Sequence, residues 1–382
     1  MKHLKLIIAT VLISSFIGCQ NKSNTTKTKP EVATVKEVDT GVGKNGIAKA
    51  SSPAFVAEGG EVATMENIVR AETAKYFAEE IIKNGPNKFR HERNGIDLDH
   101  QTIIRSNFDL IYSYGVYDVS GGLTISVPAY DLYQIVHVFD ENHITIAVVY
   151  PGQTVELSKK DVTYGEHVYL FMRTQPRTLD EKGMSEMRKR QDAVVVEAGS
   201  NNSYVSKVKY DVESFNKLRN KLIKSAVTEG VIHRGFIDDI NNIDAPHYQM
   251  INLAGWAGMP AKHAFYFVVL PGDEGAKKGS HSTVTFNIPD LKYDQSGYWS
   301  ITFYDEKGWI VTENFYENSS TITENEDGSI TLNLNGDSND INNIEVPENW
   351  NALFRCYLPT TVEGIVDYSQ NFTKNNKVLT VK

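Results

Sequence analysis

The chain has 382 residues, with 39 Lys and Arg against 48 Asp and Glu, for a formal charge of −9 at pH 7. A net acidic body with no basic block excludes nucleic acid as a partner, because a phosphate backbone demands a concentrated cationic footprint. Hydrophobic residues make up 41% of the chain, enough to fill cores, and its length suits two or three domains; 19 Tyr and 16 Phe favour β structure.

At the amino end, Lys2 and Lys5 precede an apolar run from Leu6 to Ile17 that closes on Gly18 and Cys19. The run is shorter than the ~18 to 20 residues a transmembrane helix needs. A small residue just before a cysteine predicts a lipoprotein signal peptide over residues 1–18, with Cys19 acylated, palmitate-type, as the new amino terminus. Cleavage would remove two lysines and no acid, taking the charge to −11. Acyl chains at ~0.8 kcal/mol per buried methylene would then anchor the protein to a membrane of the cell envelope. Gln20 after the cysteine favours the outer membrane over the inner.

Residues 19–60 carry no stable hydrophobic period and read as a disordered tether. Gly41, Gly43 and Gly46 match the spacing of a dinucleotide fingerprint, but with no strand before them and no helix after them they predict no cofactor. In the segment 61–100, Thr64 is a plausible N-cap for a helix whose Met65, Ile68, Val69, Tyr76, Phe77 and Ile81 recur at helical spacing, and Asn84, Gly85 and Pro86 stop it. From 101 to 178 the signal turns to short β runs: Leu123 to Val127, Tyr133 to Phe139, Ile144 to Val149 and Val168 to Arg173. In the second run, Tyr133, Ile135, His137 and Phe139 share one face. Such strands with turn residues between them predict a sandwich.

Helical periodicity returns over 179–262, clearest where Val212, Phe215, Leu218 and Leu222 follow Asp211 as a cap. The region 263–382 is again β: Ala264 to Leu270, Thr283 to Ile288, Tyr298 to Tyr304 as a core strand with one wet face, a hairpin around Asp305 to Gly308, Ile330 to Leu334 and Leu353 to Leu358. There is no repeat or heptad, so nothing in the pattern sets an oligomeric state.

The familiar catalytic signatures are missing: no Gly-x-Ser-x-Gly, no phosphate loop, no His-Glu-x-x-His, no Cys-x-x-Cys. The 10 His are scattered, with no metal-site spacing, and His137 reads as a strand residue. If Cys19 is lipidated, Cys356 has no intramolecular partner and reads as a buried thiol beside Phe354, Tyr357 and Leu358. One polar segment stands out, Arg105 to Ser113. If extended, it directs Arg105, Asn107 and Asp109 to one side and Phe108 and Leu110 to the other. Arg105 and Asp109 then either form a buried ion pair that fixes the strand, the plainer reading, or wall a polar binding pocket. Farther on, His247, Gly255, Trp256, Gly258 and Pro260 form an aromatic junction where His247 and Trp256 line a cleft or, more simply, pack.

Taken in order, these segments resemble a two-module bacterial family. Its first module, domain of unknown function 1254, has a motif similar to Arg105, Asn107, Asp109, Tyr112 and Ser113, with Leu110 and Ile111 standing where the family has Thr and Leu. Arg173 and Thr174, Gln191 to Ala193, and Gly255, Trp256, Gly258 and Pro260 resemble later positions. The second module, domain of unknown function 1214, is matched by Tyr298, Trp299 and Ser300, by Tyr304, Asp305 and Gly308, by Asp327, Gly328 and Ser329, and by Arg355, Tyr357 and Pro359. The resemblance implies a mainly β protein with helical insertions (α+β): an immunoglobulin-like sandwich, a helical middle region and a C-terminal jelly-roll-like sandwich. It implies no reaction.

The expectation is therefore a cell-envelope lipoprotein without catalytic function that binds a glycan, small molecule or partner between its β domains, through Arg105, Asn107, Asp109, Tyr112, His247 or Trp256. Two alternatives stand beside it: a hydrolase using Asp109 with Arg105 or His247, and a structural envelope protein.

Overall fold

The computed structural model describes residues 56–57, 59–99, 101, 104–272, 275–375 and 379–381. Cys19, the leader and Gly41, Gly43 and Gly46 lie outside them. The first part of the chain forms β1 (Val56–Ala57), α1 (Ile68–Asn84), β2 (Arg90–His91), β3 (Ile111–Asp118), β4 (Leu123–Ser126), β5 (Gln134–Phe139), β6 (Thr145–Val149), β7 (Thr154–Leu157) and β8 (His167–Thr174). Next come α2 (Glu181–Asp192), β9 (Val195–Ala198), β10 (Tyr210–Asp211), α3 (Val212–Glu229) and α4 (His247–Ala254). The remainder comprises β11 (Ala264–Pro271), β12 (Ser282–Asn287), β13 (Tyr298–Tyr304), β14 (Tyr316–Asn318), β15 (Ser329–Leu334), β16 (Asn343–Ile344), β17 (Asn351–Tyr357), α5 (Val362–Asn375) and β18 (Leu379–Val381). The architecture is mainly β with helical insertions, an α+β protein. Among the described residues no helix is long and apolar enough to cross a membrane.

Helix α1 starts four residues after the predicted cap. The Thr64 N–H donates to Asn67 Oδ1 at 2.8 Å and the Thr64 carbonyl accepts from Ile68, so residues 64–67 form a turn ahead of the helix and Asn67 becomes the N-cap. Gly85, at φ 75°, ends it as expected. Helix α3 begins where its pattern places it. The Asp211 carboxylate accepts the Ser214 N–H at 2.8 Å, and Phe215 and Leu222 are buried.

In the first sandwich an antiparallel five-stranded sheet, β2-β3-β8-β5-β6, faces the three-stranded sheet β7-β4-β9. Strand β9 falls in a stretch read from the sequence as helical. Its β-branched Val195 and Val196 instead extend along the open edge of β4, with Leu123 opposite Ala198 and Ser126 opposite Val195. Val136 and Val138 of β5 and Val168, Leu170 and Met172 of β8 fill the core between the sheets. Their alternates are buried as well: Ile135, His137 and Phe139 with Tyr169, Phe171 and Arg173 face the other way. There they meet α1, the 256–257 loop and the second sandwich.

The turn between β5 and β6 joins these layers. Asp140 to His143 are all buried, and the Asp140 carboxylate accepts from the backbone N–H groups of Asn142, Ile144 and Thr163. His143, at φ 57°, accepts the Ala257 N–H at Nε2, 2.8 Å. Burial pushes its pKa down to about 3 from 6.5. The unfolded chain therefore takes up this proton as pH falls below 6.5 while the folded protein refuses it until about 3, so stability contributed by His143 is lost across that window. His143→Gln is expected to shrink the difference in unfolding free energy between pH 7.5 and 5 by ~2 kcal/mol, since each pKa unit is worth ~1.4 kcal/mol. Urea titrations at the two pH values measure it; an unchanged difference would rule His143 out as the source.

In the second sandwich the sheet β14-β13-β17-β11-β18 covers the sheet β12-β15-β16. Trp299, Ile301, Phe303, Phe354 and Cys356 are at its centre. Cys356 is fully buried and free, and burial pushes its thiol well up, which fits the inert reading. Strand β13 departs from expectation, because all seven residues are buried and neither face is wet. The turn at Asp305 to Gly308 forms, closed by Gly308 N–H to Asp305 O at 2.9 Å and Asp305 N–H to Trp309 O at 2.8 Å, and it opens a long connection between the antiparallel neighbours β13 and β14. The returning strand is β14, because Ile310 is first drawn aside by reciprocal hydrogen bonds with the Gln101 amide.

Candidate functional site

The two sandwiches belong to one compact unit and meet along a buried polar seam. The segment ahead of β3 enters this seam as a turn rather than a strand. Arg105 sits at φ 51° and its N–H donates to Gly308 O at 2.8 Å, so the one-sided display of Arg105, Asn107 and Asp109 does not form. Arg105 Nε donates to Asn351 Oδ1 at 2.9 Å, and it makes no ion pair with Asp109. Asn107 does turn inward: its Nδ2 donates to the Tyr357 hydroxyl at 2.7 Å while its Oδ1 accepts the Asp109 N–H at 3.0 Å.

Asp109 is buried, and the cation acting on it is Arg355 of β17. Arg355 Nη1 donates to Thr302 Oγ1 at 3.0 Å, and its Nη2 donates to Arg105 O at 2.9 Å and to the Tyr304 hydroxyl at 2.8 Å. Burial pushes the Asp109 pKa up to about 6 from 3.8, despite the opposing pull of the neighbouring Ser300 hydroxyl and of Arg355. Neither carboxylate oxygen has a well-aligned hydrogen-bond partner within the protein, and the same holds for the Ser300, Tyr133 and Tyr298 hydroxyls. The rings of Tyr133, Tyr298 and Tyr357 form a triad, with Tyr298 stacked on Tyr357 at 4.5 Å and Tyr133 at 5.3 and 5.0 Å from the two. Tyr112, opposite Arg173 in the β3–β8 register, flanks it; burial pushes its hydroxyl up to about 12.

On the solvent side, Tyr133 and Tyr298 line a cleft of about 400 Å³. The first sandwich contributes Asp131 and Gln175, the second Tyr293, Ser296, Ser320 and Glu324. Ser296 Oγ donates to Asp131 O at 3.2 Å across the cleft, and Arg177 holds the Asp131 carboxylate at 2.7 and 2.9 Å.

His247 and Trp256 do not belong to this seam. His247 opens α4, an eight-residue helix ~12 Å long, and Trp256 lies two residues beyond its end. His247 Nδ1 accepts the Val231 N–H at 3.3 Å, while Trp256 stacks on Tyr76 at 3.9 Å and donates to Thr73 Oγ1 at 3.3 Å. Gly258 is there for packing, because a Cβ on it would sit 2.1 Å from the Phe236 ring. Asp109, Arg105 and His247 therefore do not converge. Among the described residues no group of three or more His, Cys, Asp or Glu is placed to hold a metal ion.

The principal residues of the seam, Arg173, Tyr298, Ser300, Tyr304, Arg355 and Tyr357, all fall within motifs legible along the chain. Nothing local marks them as one site, since Asn107 and Tyr357 meet across 250 positions.

Two β-sandwiches joined through a shared polar seam define a two-module β protein. Residues 86–205 match the family model DUF1254 and residues 263–361 match DUF1214, each described as a protein of unknown function. The chain belongs to the family that joins these two modules. No curated protein matches it. Among solved structures, the VPA0106 protein from Vibrio parahaemolyticus shares the fold, with a TM-score of 0.57 at 16% identity over 77% of this chain and 93% of that one. A putative uncharacterized protein from Burkholderia cenocepacia aligns with a TM-score of 0.41 at 11% identity, covering 78% of this chain and 96% of that one.

Proposed function

We propose that this is a non-catalytic binding protein of the cell envelope, anchored through Cys19 and taking a glycan or other small polar ligand in the crevice between its modules. The observation that carries the binding role is the cleft itself, walled by both modules and lined by the rings of Tyr133 and Tyr298, whose buried hydroxyls have no partner in the protein. The envelope placement rests on the leader of residues 1–18, with its short apolar run, and on the Cys19 that follows it.

Calorimetric titration with neutral and acidic saccharides and with envelope peptides tests the binding role. Ser320, exposed at the rim, can be changed without touching a core; Ser320→Trp is expected to weaken binding at least tenfold while leaving unfolding within ~0.5 kcal/mol. Flat titrations throughout would reject the role. Mass spectrometry of protein from native cells tests the placement, and an unmodified Cys19 thiol would reject it.

A further inference from the structure

We infer that the seam between the modules is an anion site, in which Arg173 together with the Tyr133 and Tyr298 hydroxyls takes the carboxylate or phosphoryl group of a small hydroxylated ligand. This rests on the crevice-binding role proposed above and specifies its ligand class.

Arg173 is only 5% exposed, near the end of β8, opposite Tyr112 on one side and Ile135 on the other. Its Nη2 donates to Ala257 O at 2.5 Å and its guanidinium lies over the Phe171 ring at 4.3 Å. Nη1 has no partner in the protein, and no acidic side chain among the described residues pairs with Arg173. A guanidinium stays charged in any protein interior, and burying a charge without a counter-ion costs several kcal/mol. Arg355 shows the contrast: its donors go to Thr302, Tyr304 and Arg105 O, with the Asp109 carboxylate nearby.

No carboxylate pairs with Arg173, so its positive charge is buried without a counter-ion. The donors around it suit an anion. Tyr133 lies immediately ahead of β5, two residues before Ile135, within the field of Arg173, and its hydroxyl is unpartnered; so is that of Tyr298, whose ring lies 5.3 Å from the Tyr133 ring. Both tyrosines also line the cleft, and their hydroxyls, like Arg173, lie buried behind its floor. The two free oxygens of Asp109 only accept hydrogen bonds when ionised, and they suit hydroxyl groups on the same ligand. A sugar acid and a sugar phosphate both meet this description.

Calorimetry of the full chain at low salt, with glucuronate, glucose 6-phosphate, inorganic phosphate and glucose as probes, decides. At least one anionic sugar is expected to bind tenfold or more tightly than glucose. Response to glucuronate alone assigns a carboxylate ligand; response to glucose 6-phosphate or phosphate alone assigns a phosphoryl one. Arg173→Gln should erase the preference, while Arg93→Gln, on the surface beside Asp192, should leave it intact. Tyr133→Phe and Tyr298→Phe keep the ring triad and should each weaken anion binding severalfold, which provides a readout even where Arg173→Gln fails to fold. Glucose binding as tightly as the anions would overturn the inference and leave the crevice role standing. Anion binding indifferent to Arg173→Gln, or to both tyrosine variants, would overturn it too. Silence from every probe would overturn the inference, while the crevice role answers to the wider titration with saccharides and envelope peptides.

Discussion

Asp109→Asn is expected to stabilise the protein at pH 7.5 by as much as ~3 kcal/mol, with the gain fading as the pH is lowered towards 4. The carboxyl is sealed in the seam with both oxygens unsatisfied, and burial raises its pKa to about 6 against 3.8 in the unfolded chain, although Arg355 pulls the other way. Between those two values the unfolded chain releases the proton and the folded one keeps it, so rising pH erodes stability from about 4 to about 6. Above that the cost is constant. The neutral amide removes it at nearly the same volume. Guanidinium titrations of wild type and Asp109→Asn at pH 4.5, 6 and 7.5 test this, and a variant that is less stable at pH 7.5 would show that Arg355 and Ser300 compensate the charge fully.

Arg355→Met is expected to cost 3 to 5 kcal/mol, the order found when one partner of a buried charged network is removed. The change leaves the Tyr304 and Thr302 hydroxyls and the Arg105 carbonyl without their donor, and Asp109 without its cation. Two of the bonds tie β17 to β13 within the second sandwich and the third ties it to the segment that leads into β3, so the loss falls on that sandwich and on its contact with the first. Adding Asp109→Asn should recover more stability in the Arg355→Met background than in wild type, because the uncompensated carboxylate then disappears too. Equal gains in both backgrounds would show that the two side chains act independently. Hydrogen exchange should locate the opening at residues 105–110 and 302–304; protection loss confined to the second sandwich would argue against a role at the seam.

Elements with a strong local signature were legible along the chain, and the site was not. Asp211 ahead of Val212, Phe215 and Leu222 marks α3 because cap and apolar stripe lie within three turns. Thr64 misled because its hydroxyl suits a cap, whereas the helix starts after Asn67, whose side chain caps no helical N–H and accepts the Thr64 N–H instead. Arg105 to Asp109 alternates like a strand yet folds as a turn, since Gly308, two hundred positions away, captures the Arg105 N–H. His247 and Trp256 look like neighbours in sequence, and α4 holds them apart.

From its residues alone the chain declares two β regions separated by helices, the stop of α1, the start of α3, and an inert thiol at Cys356. These depend on periods of two and 3.6 residues and on caps, all of which act over a few positions. Tertiary structure decided that the second faces of β5, β8 and β13 are covered, and that Asp109, Arg173, Arg355 and the tyrosine triad share one seam. Sheets from separate modules assemble that seam, and a contact between side chains 250 positions apart leaves no imprint on either local pattern.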